Sequence, residues 1–366
     1  MKNVIAIFGG DSCEHDISII TGVEAICAAP IKGYKIIPIY VKHSNWYTDN
    51  GLFDLKNLIN FNPANFRKVG VMHNYLYELK SLRKLVKICK IDCALILAHG
   101  GEGESGQWQG FFETNNIPYT TCDMLSSAIC MDKIYCKEIL KSYGFSVIEG
   151  YEIDAWASNS EIEDIIAKLK FPIVVKPTAQ GSSIGVSYVK SINEINIAIE
   201  LSRKFGSRVL LEKGLTDYLE LNQAALIRSN SIILSKIESP VSSGEILSFN
   251  DKYNKGACSK CELKKRTTTN APLIKQLTEL VSTTSNLICK KLNLFGIVRF
   301  DYLYADGKLY LNEINTIPGS LAHYLFENIS YSKLISILIE EAINRIQPKQ
   351  NAFSTNVLHN LKSVSK

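Results

Sequence analysis

The stretch from Val298 to Gly319, "VRFDYLYADGKLYLNEINTIPG", constrains this chain more than any other. It reads as two strands around "ADG", where glycine supplies the positive φ that a tight turn needs. Side chains two apart on a strand share a face, so Glu313 and Asn315 point the same way. A three-residue loop over Asp306 to Lys308 sets Asp301 opposite Glu313, whereas a two-residue loop puts the two acids on opposite faces. Buried carboxylates are costly unless a cation or hydrogen bonds meet them. Asp301, Glu313 and Asn315 offer only oxygen donors, the set that suits Mg2+ shared with phosphate oxygens. Glu313 and Asn315 by themselves also fit a solvated strand end. With Asp301 across the hairpin, the reading becomes a phosphate-handling enzyme.

The 366 residues suit two or three domains and can bury a full core. A net charge of +5, with basic residues scattered, points to neither nucleic acid nor a membrane surface as partner. The densest basic cluster, "KCELKKR" at 260–266, reads as a solvated loop. No apolar run is long enough to span a bilayer. "MKNVIAIFGG" is too short for a signal segment and reads as a first buried strand, so a cytoplasmic protein is expected. Thiols stay reduced there, and Cys27, Cys93, Cys130, Cys136 and Cys289 fall in expected strands and helices, where cysteine serves as a small hydrophobe. Cys258 and Cys261 form C-x-x-C, but no second pair or nearby histidine completes a zinc site.

Residues 4–8 and 35–41 read as buried strands, with a helix between them over "ISIITGVEAICAA"; this is a βαβ beginning. "CALILA" is a further strand ending at His99. Apolar spacing predicts one helix from about Met124 to Tyr143, another over 273–292 and a last one over about 332–346. Seams fall near Thr121 and Gly214. They give an N-terminal unit 1–121, a central unit 122–213, a C-terminal unit 214–348 that carries the acidic cluster, and a polar tail 349–366.

"VVKPTAQGSSIGV" is the second informative element. A strand delivers Lys176, and Gly181, Ser182, Ser183 and Gly185 form a small loop whose N–H and hydroxyl groups can approach an oxyanion. It lacks the G-K-[ST] of a Walker loop and the spacing of a dinucleotide fingerprint. An ordinary mobile loop is the plainer reading, and the strand-borne lysine favours phosphate. Lys133 in "CMDKIYCK", Glu212 and Lys213 ending "RVLLEK", and Glu220 in "YLELN" are weak signals singly.

In order, "FGGDSCEHDIS", "HGGEGESGQWQG", "MDK", "VKPTAQGSSIGV", "LEK", "LEL", "FNDKY", "VRFDYLY" and "LNEINTIPG" resemble the D-alanine–D-alanine ligases of the ATP-grasp superfamily, over about residues 4–345. The resemblance implies an α/β (α+β) three-domain ATP-grasp fold with an N-terminal βαβ, Rossmann-like domain. It implies ATP-dependent joining of two D-alanines through an acyl phosphate, for peptidoglycan precursor synthesis. ATP would be co-substrate, with two Mg2+ (or Mn2+) ions held by Asp301, Glu313 and Asn315. Lys133, Lys176, Gly181, Ser182, Ser183 and Lys252 would meet phosphate, Glu212 and Lys213 the base, and Glu220 the ribose. Glu14 would pair with the first ammonium near His99. Arg299 and the Gly319 N–H would stabilise the oxyanion, while Glu14, Ser182 and Tyr253 would form one hydrogen-bonded set. A homodimer is implied as well.

Departures from the family pattern concentrate at the acceptor. Ser105 and Trp108 alter "GESGQWQG", the loop after Tyr253 is unlike the common version, and Tyr324 stands where a serine is expected. The acceptor side is then expected to use Ser320, His323 and Tyr324, with Ser320 or backbone N–H groups taking the carboxylate. A ligase with another D-acceptor (D-serine, less so D-lactate) and a nucleotide-binding homologue without turnover are the alternatives.

Overall fold

Five consecutive residues, Val4 to Phe8, are wholly buried, as expected of a strand flanked on both sides by parallel neighbours and covered on both faces. That strand, β1 (Lys2–Gly9), is followed by α1 (His15–Cys27) and β2 (Tyr34–Lys42), which pairs with it in parallel. The structure is a computed structural model and describes residues 1–28, 32–81, 83–240 and 272–345. The expected βαβ opening is therefore present. Four antiparallel strands extend it: β3 (Asn45–Thr48), β4 (Arg67–Met72), β5 (Tyr75–Ser81) and β6 (Lys84–Lys90). With β7 (Cys93–Ile96) on the other edge they complete a seven-stranded sheet. β7 stops at Ile96, three residues before the expected end at His99. A short helix, α2 (Leu55–Ile59), crosses one end. Helices α3 (Gly101–Glu104) and α4 (Gln107–Thr114) follow β7.

The helix expected over 124–143 is two helices, α5 (Met124–Met131) and α6 (Lys133–Ser142). Asp132 separates them in an extended conformation (φ −86°, ψ 109°), and its carboxylate accepts the N–H groups of Ile134 and Tyr135. An aspartate that satisfies open N–H groups at a helix start outweighs the continuing apolar period.

The second sheet is antiparallel, ordered β10–β9–β11–β8, from β8 (Gly150–Ile153), β9 (Ile173–Pro177), β10 (Ser187–Val189) and β11 (Val209–Lys213). Helices α7 (Asn159–Leu169) and α8 (Ile192–Arg203) cover one face and close a separate small core. The third sheet, ordered β13–β12–β14–β15, holds β12 (Leu219–Ile227), β13 (Ile232–Glu238), β14 (Gly296–Ala305) and β15 (Lys308–Asn315). Helix α9 (Pro272–Lys291) packs on it with a stripe narrower than expected. Leu277, Val281 and Ile288 are buried, whereas Leu280 and Leu287 are exposed. Helix α10 (Tyr331–Asn344) turns back to the first sheet, where Leu334, Ile335, Leu338 and Ile339 join its core. Cys93, Cys122, Cys130, Cys136 and Cys289 are free and buried, but Cys27, expected to pack, is exposed at the end of α1. Cys258 and Cys261 lie outside the described residues. No helix among the described residues is long and apolar enough to cross a membrane.

Candidate active site

The hairpin of β14 and β15 closes through two residues, not the expected three: Ala305 pairs with Lys308 across Asp306 and Gly307. Both turn residues have positive φ, 51° and 73°, which matches the twist of a two-residue hairpin. The register then shifts between Asp301 and Tyr302, since Tyr302 pairs with Leu311 while Asp301 pairs with Glu313. Asn312 is the extra residue of a β-bulge. The bulge restores what the shorter turn would have undone, and Asp301 faces Glu313 as expected. It also brings two neighbours, Asn312 and Glu313, to the same cleft.

That cleft, about 850 Å³ including space open to solvent, lies between the second and third sheets. Lys133, Lys176, Ser183, Glu212, Lys213, Glu220, Asp301 and Glu313, all singled out in the sequence, line it. Its lining also includes the apolar Ile148, Val174, Val186, Leu215 and Leu303 and the rings of Tyr188 and Tyr218. Apolar groups together with cations and acids suit a flat base joined to an anionic chain.

On β9 and β11, Lys176 and Glu212 sit diagonally, because Lys176 pairs with Leu210 and Glu212 with Val174. Lys176 Nζ lies 2.6 Å from Glu212 Oε2 and 3.4 Å from Asn312 Oδ1. Lys137, one helical turn after Lys133, reaches Glu212 Oε1. Burial opposes ionisation of Glu212, and the Lys137 and Lys176 ammonium groups overcome it, holding the carboxyl below its ordinary range. Lys133 Nζ donates to the Gln180 carbonyl at 2.5 Å. Burial pulls the Lys133 ammonium down from its ordinary value, with Glu313 acting against that.

The loop after β9 holds Ser182 and Ser183 at φ of 52° and 59°. Ser182 Oγ donates to Glu14 Oε1, just ahead of α1, so the central loop is tied to the first sheet. A Cβ on Gly181 would stand 2.5 Å from Glu14 Oε2, so a larger residue there would push the carboxylate aside. Ser182 and Glu14 thus meet as expected. Tyr253, their expected companion, and Lys252, expected at phosphate, lie outside the described residues.

Arg299 grips Asp301 with two bonds, Nε to Oδ1 at 2.6 Å and Nη2 to Oδ2 at 2.7 Å. Asn315 Nδ2 reaches Asp301 Oδ2 at 3.1 Å. Although burial disfavours the charge, Asp301 holds the Arg299 guanidinium firmly protonated. Among the described residues no three His, Cys, Asp or Glu side chains gather in a way that could hold a metal ion. Two carboxylates and an amide, all hard oxygen donors, still fit Mg2+, which takes one or two protein carboxylates and completes its shell from substrate phosphate and water.

Beyond Asn315, the chain is clamped to the first sheet. Glu104 accepts the Ile317 N–H at 3.1 Å, and His99 Nδ1 bonds the Ile317 carbonyl at 2.7 Å. His99 Nε2 meets Thr21 Oγ1 at 2.8 Å, and Thr21 Oγ1 accepts the Ser320 N–H at 3.2 Å. The Ile317 carbonyl calls for a proton on Nδ1, and burial keeps the ring neutral. Burial lowers its pKa to about 4, despite the bond to Ile317. Burial first, then Glu14, raises Glu104 to about 7. Gly319 begins the left-handed coil of Ser320, Leu321 and Ala322, at φ 46°, 50° and 48°. Ser320 Oγ donates to Glu24 at 2.6 Å, His323 stacks on Tyr331 at 4.0 Å, and Tyr324 OH approaches Glu238 Oε2 at 3.4 Å. These acceptor-side candidates sit together on one segment, each with a protein partner.

Three site residues escaped the sequence reading. Lys137 carried a signal, the four-residue spacing from Lys133 on one helix face. Glu104 stood within "GGEGESG", although nothing marked it as buried. Asn312 carried none, because a bulge follows from pairing.

Residues 3–122 match the family model described as D-ala D-ala ligase N-terminus, and residues 139–340 match D-ala D-ala ligase C-terminus. A D-alanine–D-alanine ligase of Thermosipho melanesiensis is 32% identical, over 98% of each chain. Among solved structures, the VanG D-Ala:D-Ser ligase of Enterococcus faecalis is 27% identical with a TM-score of 0.75, covering 93% of this chain and 99% of that one. A D-alanine–D-alanine ligase of Bacillus anthracis complexed with ATP is 27% identical with a TM-score of 0.66, covering 94% and 98%.

Proposed function

The chain belongs to the D-alanine–D-alanine ligase family, and on that premise we propose that its cleft joins two D-alanines at the expense of ATP, through the site residues named above. The expected ATP-grasp architecture and ATP-dependent ligase activity stand with the family. One observation carries the residue-level reading: Asp301 pairs with Glu313 across the third sheet and shares a cleft with Lys133 and Lys176 of the central unit.

A carboxylate is a poor electrophile and must be activated before an amine can attack it. Lys133 and Lys176 hold the triphosphate, Glu212 and Lys213 the base, and Glu220 the ribose. Gly181, Ser182 and Ser183 cover the phosphates, together with Lys252. Asp301, Glu313 and Asn315 would hold divalent metal, two ions in our reading, which when bound would supply positive charge against the phosphates. Glu14 pairs with the first ammonium beside His99. Ser182 and Tyr253 keep Glu14 in place. Arg299 and the Gly319 N–H face the oxyanion formed when the second amine attacks. Ser320, His323 and Tyr324 shape the acceptor side. We read the protein as a homodimer. We also assign seams near Thr121 and Gly214, and a cytoplasmic location.

The test is phosphate release with ATP and Mg2+, against D-alanine alone and D-alanine with D-serine or D-lactate. Dipeptide from D-alanine alone is expected. Glu313→Gln should nearly abolish turnover, and Lys176→Ala should weaken ATP binding about ten- to a hundredfold, the worth of one charge-assisted contact. Wild-type rates in both variants would sink the site assignment, and a product only with another D-acceptor would replace the acceptor.

A further inference from the structure

We infer that Lys137 is a positioning residue that keeps Glu212 a carboxylate while Lys176 is drawn to phosphate, and that it thereby sets the preference of this cleft for an aminopurine base. The inference rests on the ATP reading above and concerns a residue that reading does not use. In the structure each Glu212 oxygen has its own ammonium, Lys137 at Oε1 and Lys176 at Oε2. The side chains are 8% (Lys137), 6% (Lys176) and 2% (Glu212) exposed, so water can replace neither partner.

The two lysines differ in where else they can go. Lys176 lies on the cleft wall and also approaches Asn312 at 3.4 Å, on the side of Asp301 and Glu313. A triphosphate arriving there competes with Glu212 for its ammonium. Lys137 stands behind Glu212 on α6, outside the wall. It therefore remains when Lys176 turns away. Without it, Glu212 would be left as a buried, unpaired carboxylate, a state that proteins relieve by taking up a proton.

The protonation state of Glu212 decides which base is accepted. A carboxylate only accepts hydrogen bonds, which suits the exocyclic amino group of adenine. A carboxylic acid can donate, and so can meet the carbonyl that guanine carries at the same position. Burial pulls the Lys137 ammonium downward, and Glu212 is the leading influence against it, so the pair holds both charges mutually.

Direct nucleotide binding, by calorimetry with ATP and with GTP, should be compared for wild type, Lys137→Met, Lys137→Gln, Lys137→Arg and Glu212→Gln, alongside thermal unfolding and steady-state rates. Lys137→Met is expected to weaken ATP binding at least tenfold, to raise the KM for ATP more than it lowers kcat, and to narrow the ATP-over-GTP ratio. Arginine should restore the ratio. Should the methionine variant fail to fold, Lys137→Gln against Lys137→Arg gives the same contrast between a neutral and a charged partner. Adding Lys137→Met to Glu212→Gln should change the ratio no further. An ATP-over-GTP ratio unmoved in folded Lys137→Met or Lys137→Gln overturns the inference while leaving the ATP reading intact. A wild-type chain that binds no adenine nucleotide overturns both.

Discussion

At the scale of single residues, the site is governed by which proton each buried group keeps. His99 stays neutral because burial disfavours its charge, while Nδ1 donates to the Ile317 carbonyl and Nε2 meets Thr21 Oγ1. Its pKa falls to about 4 from 6.5, chiefly through burial. The unfolded chain therefore takes up a proton as pH falls through about 6.5, and the folded chain does not until about 4. Stability from this group is complete above about 6.5 and is lost as pH falls through 4, on the order of 3 kcal/mol. Glu104 works the other way, since its pKa is raised to about 7 from 4.5; its contribution is present below about 4.5 and is lost as pH rises through 7. Wild-type stability between these limits is the difference of the two. In His99→Gln the unfolding midpoint should be lower at neutral pH but should fall less steeply between pH 6.5 and 4. An acid limb as steep as that of wild type would refute the assignment. None of this balance was legible in "AHGGEGES", because burial depends on Thr21 and Ile317, far away in sequence.

Among the elements, the hairpin shows how an expected outcome can arrive by another route. Alternation in "LNEIN" placed Glu313 and Asn315 on one face, but Asp301 was set opposite them only through a three-residue turn that the hairpin does not have. Turn length was not legible, because "ADG" suits either count and the bulge at Asn312 absorbs the difference. The same limit applies at Asp132, where an unbroken apolar period hid a capping aspartate that ends one helix and begins the next. The bulge leads to an unusual prediction. Deleting Asn312 leaves Leu311 opposite Tyr302 and Glu313 opposite Asp301, so the ladder becomes regular and the two acids still face each other. Lys176 loses an acceptor. Deletion should give a folded protein with weakened ATP binding. Inserting one residue between Asp306 and Gly307 should be far worse, since a regular ladder would then turn Leu311 to the cleft and Asn312 to the core. Circular dichroism and unfolding temperatures of the two variants decide it, and greater loss from the deletion would contradict the pairing.

On the scale of the whole molecule, the cleft lies between the second and third sheets, and small contacts tie its loop to the N-terminal part of the chain. Ser182 on the central loop bonds Glu14 ahead of α1, and Gly181 leaves room for that carboxylate. Gly181→Ala needs no left-handed backbone, so its cost falls on the junction. Turnover should drop at least tenfold with an almost unchanged unfolding temperature; an equal loss of both would mean that the loop is a folding element instead.

The return of α10 to the first sheet has a consequence in time. Leu334, Ile335, Leu338 and Ile339 fill the same core as Ile5, Ile7 and Ile96, yet β7 ends at Ile96 and α10 begins at Tyr331. A ribosome adding roughly 5–20 residues per second needs on the order of 10–50 s to cover that interval. Through that time the part of the first core beside β7 that α10 covers stays open. Among the described residues, the helix made latest is one that completes the core of the first sheet.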